Sequence, residues 1–180
     1  MVMGANAQMR KEKNDWTSMS QIRRQTIAGL TPGAVFTVKR SFSEADVRLF
    51  ADMTLDYNPV HFDDQFVAAK GFSARICHGL LIGGMVTQIG GQIGWLASGM
   101  SFRFKRPVYI GDEVICTLTI TDIDDRGRAK ADAVIVNQHN DVVLTAHLTG
   151  IIPGKAEVRI LEKIMKSEET DADASPVELK

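Results

Sequence analysis

The sequence predicts an α+β domain in which a long, glycine-rich helix lies on one antiparallel sheet. Three observations carry that expectation. A strand-like segment and two short helical segments come first; a run without any charged residue follows; from Phe102 onward the apolar period falls to two.

Ala34 to Arg40 has the β-branched content of a strand. Ser43 to about Met53 reads as a helix: Ser43 caps it, Asp46 three residues on completes a capping box, and Phe42 with Val47 forms a hydrophobic staple. Val47, Phe50 and Met53 fall at helical spacing and are its expected buried face. Asn58-Pro59 stops that helix, because proline fixes its own φ, lacks an N–H and pushes the preceding residue out of the helical region. Asp63 to Lys70 reads as a further short helix ended by Gly71.

Between Arg75 and Arg103 there is no Asp, Glu, Lys or Arg. The run is long enough for a membrane span to be weighed. Gln88 and Gln92, glycines at 79, 83, 84, 90, 91 and 94, and a strand-rich second half argue against insertion, so no membrane partner is expected. Each interior glycine costs a helix about 1 kcal/mol relative to alanine. A helix that carries this many gains from the missing side chains. Gly83, Gly84, Thr87, Gly90, Gly91 and Gly94 are expected to form a smooth face for close approach to a sheet or a ligand, with Leu81, Met85, Ile89 and Leu96 packing opposite.

Phe102 and Phe104 then alternate with Arg103 and Lys105. Val114, Cys116, Leu118 and Ile120 form one face of the next segment and Thr117, Thr119 and Thr121 the other. Turns at Asp124–Gly127 and His139–Asp141 separate Ala129–Val136 from Val142–Ile152, which is the pattern of an antiparallel meander.

With 180 residues, 44% of them hydrophobic and 24% charged, the chain suits one globular domain. Its expected extent is 31–155. Residues 1–30 form an N-terminal extension expected to be partly disordered, and 156–180 a C-terminal tail, acidic and disordered from about Ser167. A net charge of -1 gives no reason to expect nucleic acid. Cys77 and Cys116 have no spacing of a disulfide framework or a zinc site, and His139 and His147 none of a metal site. A reducing compartment, the cytoplasm, is expected from the cysteines, and Met1 to Thr17 holds no secretory signal; Arg10, Lys11 and Lys13 leave a mitochondrial presequence as the alternative, although Glu12 and Asp15 interrupt a basic amphipathic pattern.

Asp56-Tyr57-Asn58-Pro59-Val60-His61 brings a carboxylate and an imidazole to one short turn. Such a pair can move a proton, and the same turn also reads as a solvated loop with a well-placed proline.

The layout of a glycine-rich helix followed by a meander resembles the hot-dog fold, a sheet wrapped around a central helix. Within it, Phe50-Ala51-x-x-Thr54-x-Asp56-x-Asn58-Pro59-Val60-His61 resembles the hydratase motif of the MaoC-like, (R)-specific enoyl-CoA hydratase family. Ala68 or Ala69 with Gly71-Phe72, then Ile76-Cys77-His78-Gly79-Leu80-Leu81, then Phe104-x-x-Pro107-Val108-x-x-Gly111-Asp112 follow in the family's order, so the resemblance covers roughly 33–152. An ordered set is stronger than one motif. Leu55 departs from it: the family usually has glycine there, which serves a backbone angle or leaves space beside the substrate.

The resemblance implies reversible hydration of a 2-enoyl thioester carried by coenzyme A or acyl carrier protein. It makes Asp56 and His61 the groups that hold and activate water, and the Gly79 N–H the oxyanion donor. Asn58, His78 and Leu55 are its substrate-side positions, with Asn58 chiefly ordering the turn. Arg75, Arg103, Lys105 and Arg106 are possible contacts for coenzyme A phosphates. No metal or other cofactor is implied, and a homodimer is the expected assembly. An acyl-CoA thioesterase of the same fold and a non-catalytic acyl-binding subunit are the rival readings.

Overall fold

The computed structural model describes residues 16–173. The first and last parts of the expected tails, 1–15 and 174–180, lie outside the described residues.

In chain order the elements are α1 (Trp16–Ala28), β1 (Val35–Ser41), α2 (Glu44–Thr54), a 3₁₀ turn (Pro59–His61), α3 (Asp64–Ala69), α4 (Gly79–Gly83) and α5 (Met85–Ile93). There follow β2 (Leu96–Phe104), β3 (Glu113–Ile123), β4 (Arg128–Asn137), β5 (Val142–Ile151) and α6 (Lys155–Asp173). The five strands form one antiparallel sheet in the order β1-β3-β4-β5-β2. The expected meander is β3-β4-β5, and the strands on either side of the helices close its two flanks.

The sheet curls around α4 and α5. Val114, Cys116, Leu118 and Ile120 are all buried, as their alternation requires, and they meet Ile82, Met85, Val86, Ile89 and Ile93 from the helices. Burying this many aliphatic side chains, at about 1.5–3 kcal/mol each, is the main force holding helix and sheet together. The central helix is shorter than the sequence suggests. Gly94 adopts φ 77, a left-handed cap that Gly permits at no steric cost, and ends α5. Leu96, expected on the helix, therefore opens β2 and is 72% exposed. The expected glycine face also divides: Gly83 lies against the sheet under Phe102, as does Gly79, outside that face, under Phe104, whereas a Cβ on Gly91 would meet nothing within 4 Å.

The capping box of α2 forms as the sequence indicates, with Ser43 Oγ accepting from the Asp46 N–H and Asp46 Oδ2 accepting from the Ser43 N–H. The buried face of that helix is Val47 and Ala51; Met53 is exposed.

Both chain ends carry helix where tails were expected. In α1, Ile22 and Thr26 are buried, and the helix packs on α5 and α6, to which Arg23 adds an ion pair with Glu168. Neither helix is strongly apolar by itself; each is stabilised by the other and by the end of α5.

Candidate active site

Leu55 ends α2 in the left-handed conformation, φ 60 and ψ 22, with its N–H donating to Ala51 O at 2.7 Å. A residue with a Cβ pays about 1–2 kcal/mol for that conformation. Of the two services a glycine could perform at this position, the backbone angle is the one visible, since Leu55 is exposed and does not line the cavity described below.

Reversal of the chain at Leu55 aims Asp56 into a turn built from nested side-chain bonds. Asp56 Oδ1 accepts from the Asn58 N–H, and Asn58 Oδ1 accepts from the Val60 N–H, each at 3.3 Å. Pro59 then opens the 3₁₀ turn, where its missing donor costs nothing. Asn58 thus shapes the turn and is not a cavity residue. The turn delivers His61 into the interior at 6% exposure.

The protonation pattern of both histidines follows from their partners. His61 Nδ1 lies 2.8 Å from Ile76 O, and His78 Nε2 lies 2.9 Å from Asp56 O. A carbonyl only accepts, so each of these nitrogens carries the hydrogen. His61 Nε2 is left with a free lone pair. His78 Nδ1 is left with one too, and it is buried without a partner, a cost of about 1–3 kcal/mol. The two rings stack with centroids 3.7 Å apart and planes inclined by 30°. Burial pushes His61 below the ordinary histidine range; its bond to Ile76 opposes this, the nearby His78 adds to it, and Asp56 opposes it.

One oxygen of Asp56 and one ring nitrogen of each histidine lie within 4.8 Å of one another. A water making two hydrogen bonds of about 2.8 Å spans about 4.6 Å between its partners, so the gap suits a water held between the carboxylate and an imidazole.

Asp56, His61, His78 and Gly79 all line one cavity of about 670 Å³. Its remaining wall is mostly apolar, with Phe50, Phe72, Ile82, Phe104, Val108 and Val143, the character of a pocket for a hydrocarbon chain. Gly79 is the first residue of α4, where helix geometry leaves N–H groups without intrahelical acceptors. A Cβ there would lie 2.7 Å from Phe104 Cε1, so any residue larger than glycine would have to displace that ring. Nothing in the local sequence links residues 79 and 104; the contact exists only through the sheet.

Cys77 lines the same cavity, but burial pushes its thiol up to about 12. It is no nucleophile at neutral pH. Among the basic residues, Arg75 is taken up by Glu44 and Asp64, and Arg103 alternates away from the helix-facing Phe102 and Phe104. Lys105 and Arg106 reach the cavity, Arg106 with its guanidinium donating to Val142 O at 2.9 Å.

Comparison with known proteins agrees with this architecture. The family model described as MaoC like domain matches residues 19–143. A mitochondrial 3-hydroxyacyl-[acyl-carrier-protein] dehydratase of Arabidopsis thaliana is 30% identical over 76% of this chain and 84% of its own length. The (R)-specific enoyl-CoA hydratase of Aeromonas caviae is 30% identical over 69% of this chain and 96% of its own. Among solved structures, the (R)-hydratase from A. caviae superposes with a TM-score of 0.66 at 30% identity, covering 69% of this chain and 98% of that one. R-hydratase PhaJ1 from Pseudomonas aeruginosa gives 0.67 at 28% identity, over 72% and 86%. With its sheet curled around α4 and α5 in the manner of the hot-dog fold, the chain belongs to the MaoC-like domain family.

Proposed function

We propose that the protein hydrates trans-2-enoyl thioesters to (R)-3-hydroxyacyl thioesters and catalyses the reverse dehydration. The observation that carries this reading is the placing of an Asp56 carboxylate oxygen and a His61 ring nitrogen within 4.8 Å of each other, at the wall of an apolar cavity that also holds the start of α4. The acyl chain lies in the cavity with its thioester carbonyl toward the Gly79 N–H. A water between Asp56 and His61 Nε2 gives up a proton to the pair as its oxygen bonds to C3. The electrons move to the thioester oxygen, where the Gly79 N–H stabilises the enolate. C2 then receives a proton from the same pair, on the face where water was added. No cofactor enters these steps.

The thioester's carrier is coenzyme A or acyl carrier protein. The assembly is a homodimer: β2 is an edge strand with Leu96, Met100 and Phe104 exposed along it, and pairing with a second copy would cover that edge. Among the described residues no helix is long and apolar enough to cross a membrane. Two free, buried cysteines suit a reducing compartment, and we place the protein in the cytoplasm on that ground.

Incubation of the purified protein with crotonyl-CoA tests the activity. Loss of enoyl absorbance without free thiol is the expected result, and chiral analysis of the product should give the (R) alcohol. Release of free thiol would establish a thioesterase instead. A folded protein that leaves short and long enoyl thioesters unchanged would overturn the reading in favour of a binding subunit.

A further inference from the structure

His78 is buried at 1% exposure, yet its Nδ1 has no partner. A phenylalanine or leucine would fill the same space without that cost, so packing does not account for an imidazole here. What the ring does is join the separate parts of the site. Its Nε2–H donates to the backbone carbonyl of Asp56, its face lies against His61, and its own backbone precedes Gly79 at the start of α4. Phe50 of α2 holds it from another side, with ring centroids 5.0 Å apart.

We propose that His78 is a positioning residue, which sets the distance from the Asp56–His61 pair to the Gly79 N–H and keeps His61 in the unprotonated form that accepts a proton from water. This rests on the hydratase reading above. The first part follows from the bond to Asp56 O: without it, the turn bearing the carboxylate has no tie to the start of α4 through this ring. The second follows from the stack, because two imidazoles 3.7 Å apart repel if both are protonated. The charged groups around His61 are Asp56 on its own turn and Glu44, Arg48 and Arg75, which line a smaller cavity on another side of it, and the imidazole of His78 stacks on its face. Burial is the main cause that lowers His61, and His78 adds to it in the same direction.

Two substitutions separate the roles. His78→Phe keeps an aromatic face but removes the N–H and the second imidazole; His78→Gln keeps an amide N–H that can reach the Asp56 carbonyl but removes the stacked ring. In both, the acidic limb of kcat/KM for crotonyl-CoA should move to higher pH, because His61 is protonated more readily. The kcat of His78→Phe should fall on the order of tenfold to a hundredfold, as small displacements of reacting groups do, with KM changed less than kcat, and His78→Gln should lose less. Melting curves establish that each variant is folded; if His78→Phe does not fold, the limb in His78→Gln decides. An acidic limb that stays in place, or a kcat loss in His78→Gln as large as in His78→Phe, would overturn the proposal. Should the wild type hydrate no enoyl thioester, the hydratase reading fails by itself. NMR titration of the His61 ring in wild type and His78→Gln then still decides the coupling: an upward move supports it, and none refutes it.

Discussion

Gly79 and Phe104 occupy adjoining space at the cavity wall so closely that a Cβ on the glycine would stand 2.7 Å from Cε1 of the ring. Side chain and backbone are matched there across two elements far apart in sequence. Gly79→Ala should therefore push the Phe104 ring aside and destabilise the fold by about 1–3 kcal/mol, the usual range for an overpacked contact. Phe104→Leu in the same chain should restore most of that loss. Thermal melts of the wild type, both single variants and the double variant measure the coupling; strictly additive effects would mean that the glycine answers to something other than this ring.

The acid/base pair makes a prediction with two arms. Asp56→Asn and His61→Asn should each reduce kcat by about 10²- to 10⁴-fold, the usual contribution of a general acid or base, while the fold survives. Stopped-time assays of crotonyl-CoA absorbance beside circular dichroism will show both. Retention of more than a tenth of the wild-type rate by either variant would remove that residue from the chemistry.

Acidification should affect activity and stability in the same direction. His61 titrates below the ordinary histidine value, chiefly because it is buried. Catalysis needs its free lone pair, so kcat/KM should fall as the pH drops through that lowered value and stay level just above it. For stability, the unfolded chain takes up a proton near pH 6.5 and the folded one only at lower pH. The His61 contribution to stability is thus complete above 6.5 and is lost as the pH falls from there toward the folded value. Urea melts between pH 5 and 8, compared for wild type and His61→Asn, should show a smaller dependence in the variant.

Leu55 makes a prediction of opposite sign. Its left-handed conformation at φ 60 is one that glycine adopts freely, and its side chain is 77% exposed. Leu55→Gly should stabilise the protein by up to about 1 kcal/mol, the strain relieved less the added freedom of the unfolded chain. A lower melting temperature in the variant would show that the leucine makes contacts worth more than its strain.

Ser43→Ala should cost about 1 kcal/mol, because it takes the accepting oxygen from the first turn of the helix that carries Phe50 to the site. Denaturant melts will register this, and a loss below a few tenths would mean that Asp46 holds the helix start unaided.

How much of this was legible depended on whether the signal was local. The capping box at Ser43, the alternation Val114, Cys116, Leu118, Ile120, and the turn at Asn58-Pro59 are each decided within a few residues, and all appear in the structure. Convergence of Asp56, His61 and Gly79 on one cavity followed the family motif. The end of the central helix was not legible, because a charge-free run offers several glycines and only the fold selects Gly94 as the cap. Helix α1 was missed for a related reason: burial of Ile22 depends on α5 and α6, which the segment itself does not contain. Met53 and Leu96 were given buried places by spacing alone, and the structure exposes both. The role of His78 lay in a bond to a carbonyl 22 residues away, which no spacing encodes.

Cys77 and Cys116 sit in different layers, one on the cavity wall and one on the inner face of β3, and burial raises both thiols to about 12. A maleimide or aromatic disulfide reagent at neutral pH accordingly finds neither in reactive form until the protein opens. The pair is a built-in clock: the pace of modification at 77 reports breathing of the substrate chamber, and that at 116 the loosening of the sheet from the helices it curls around.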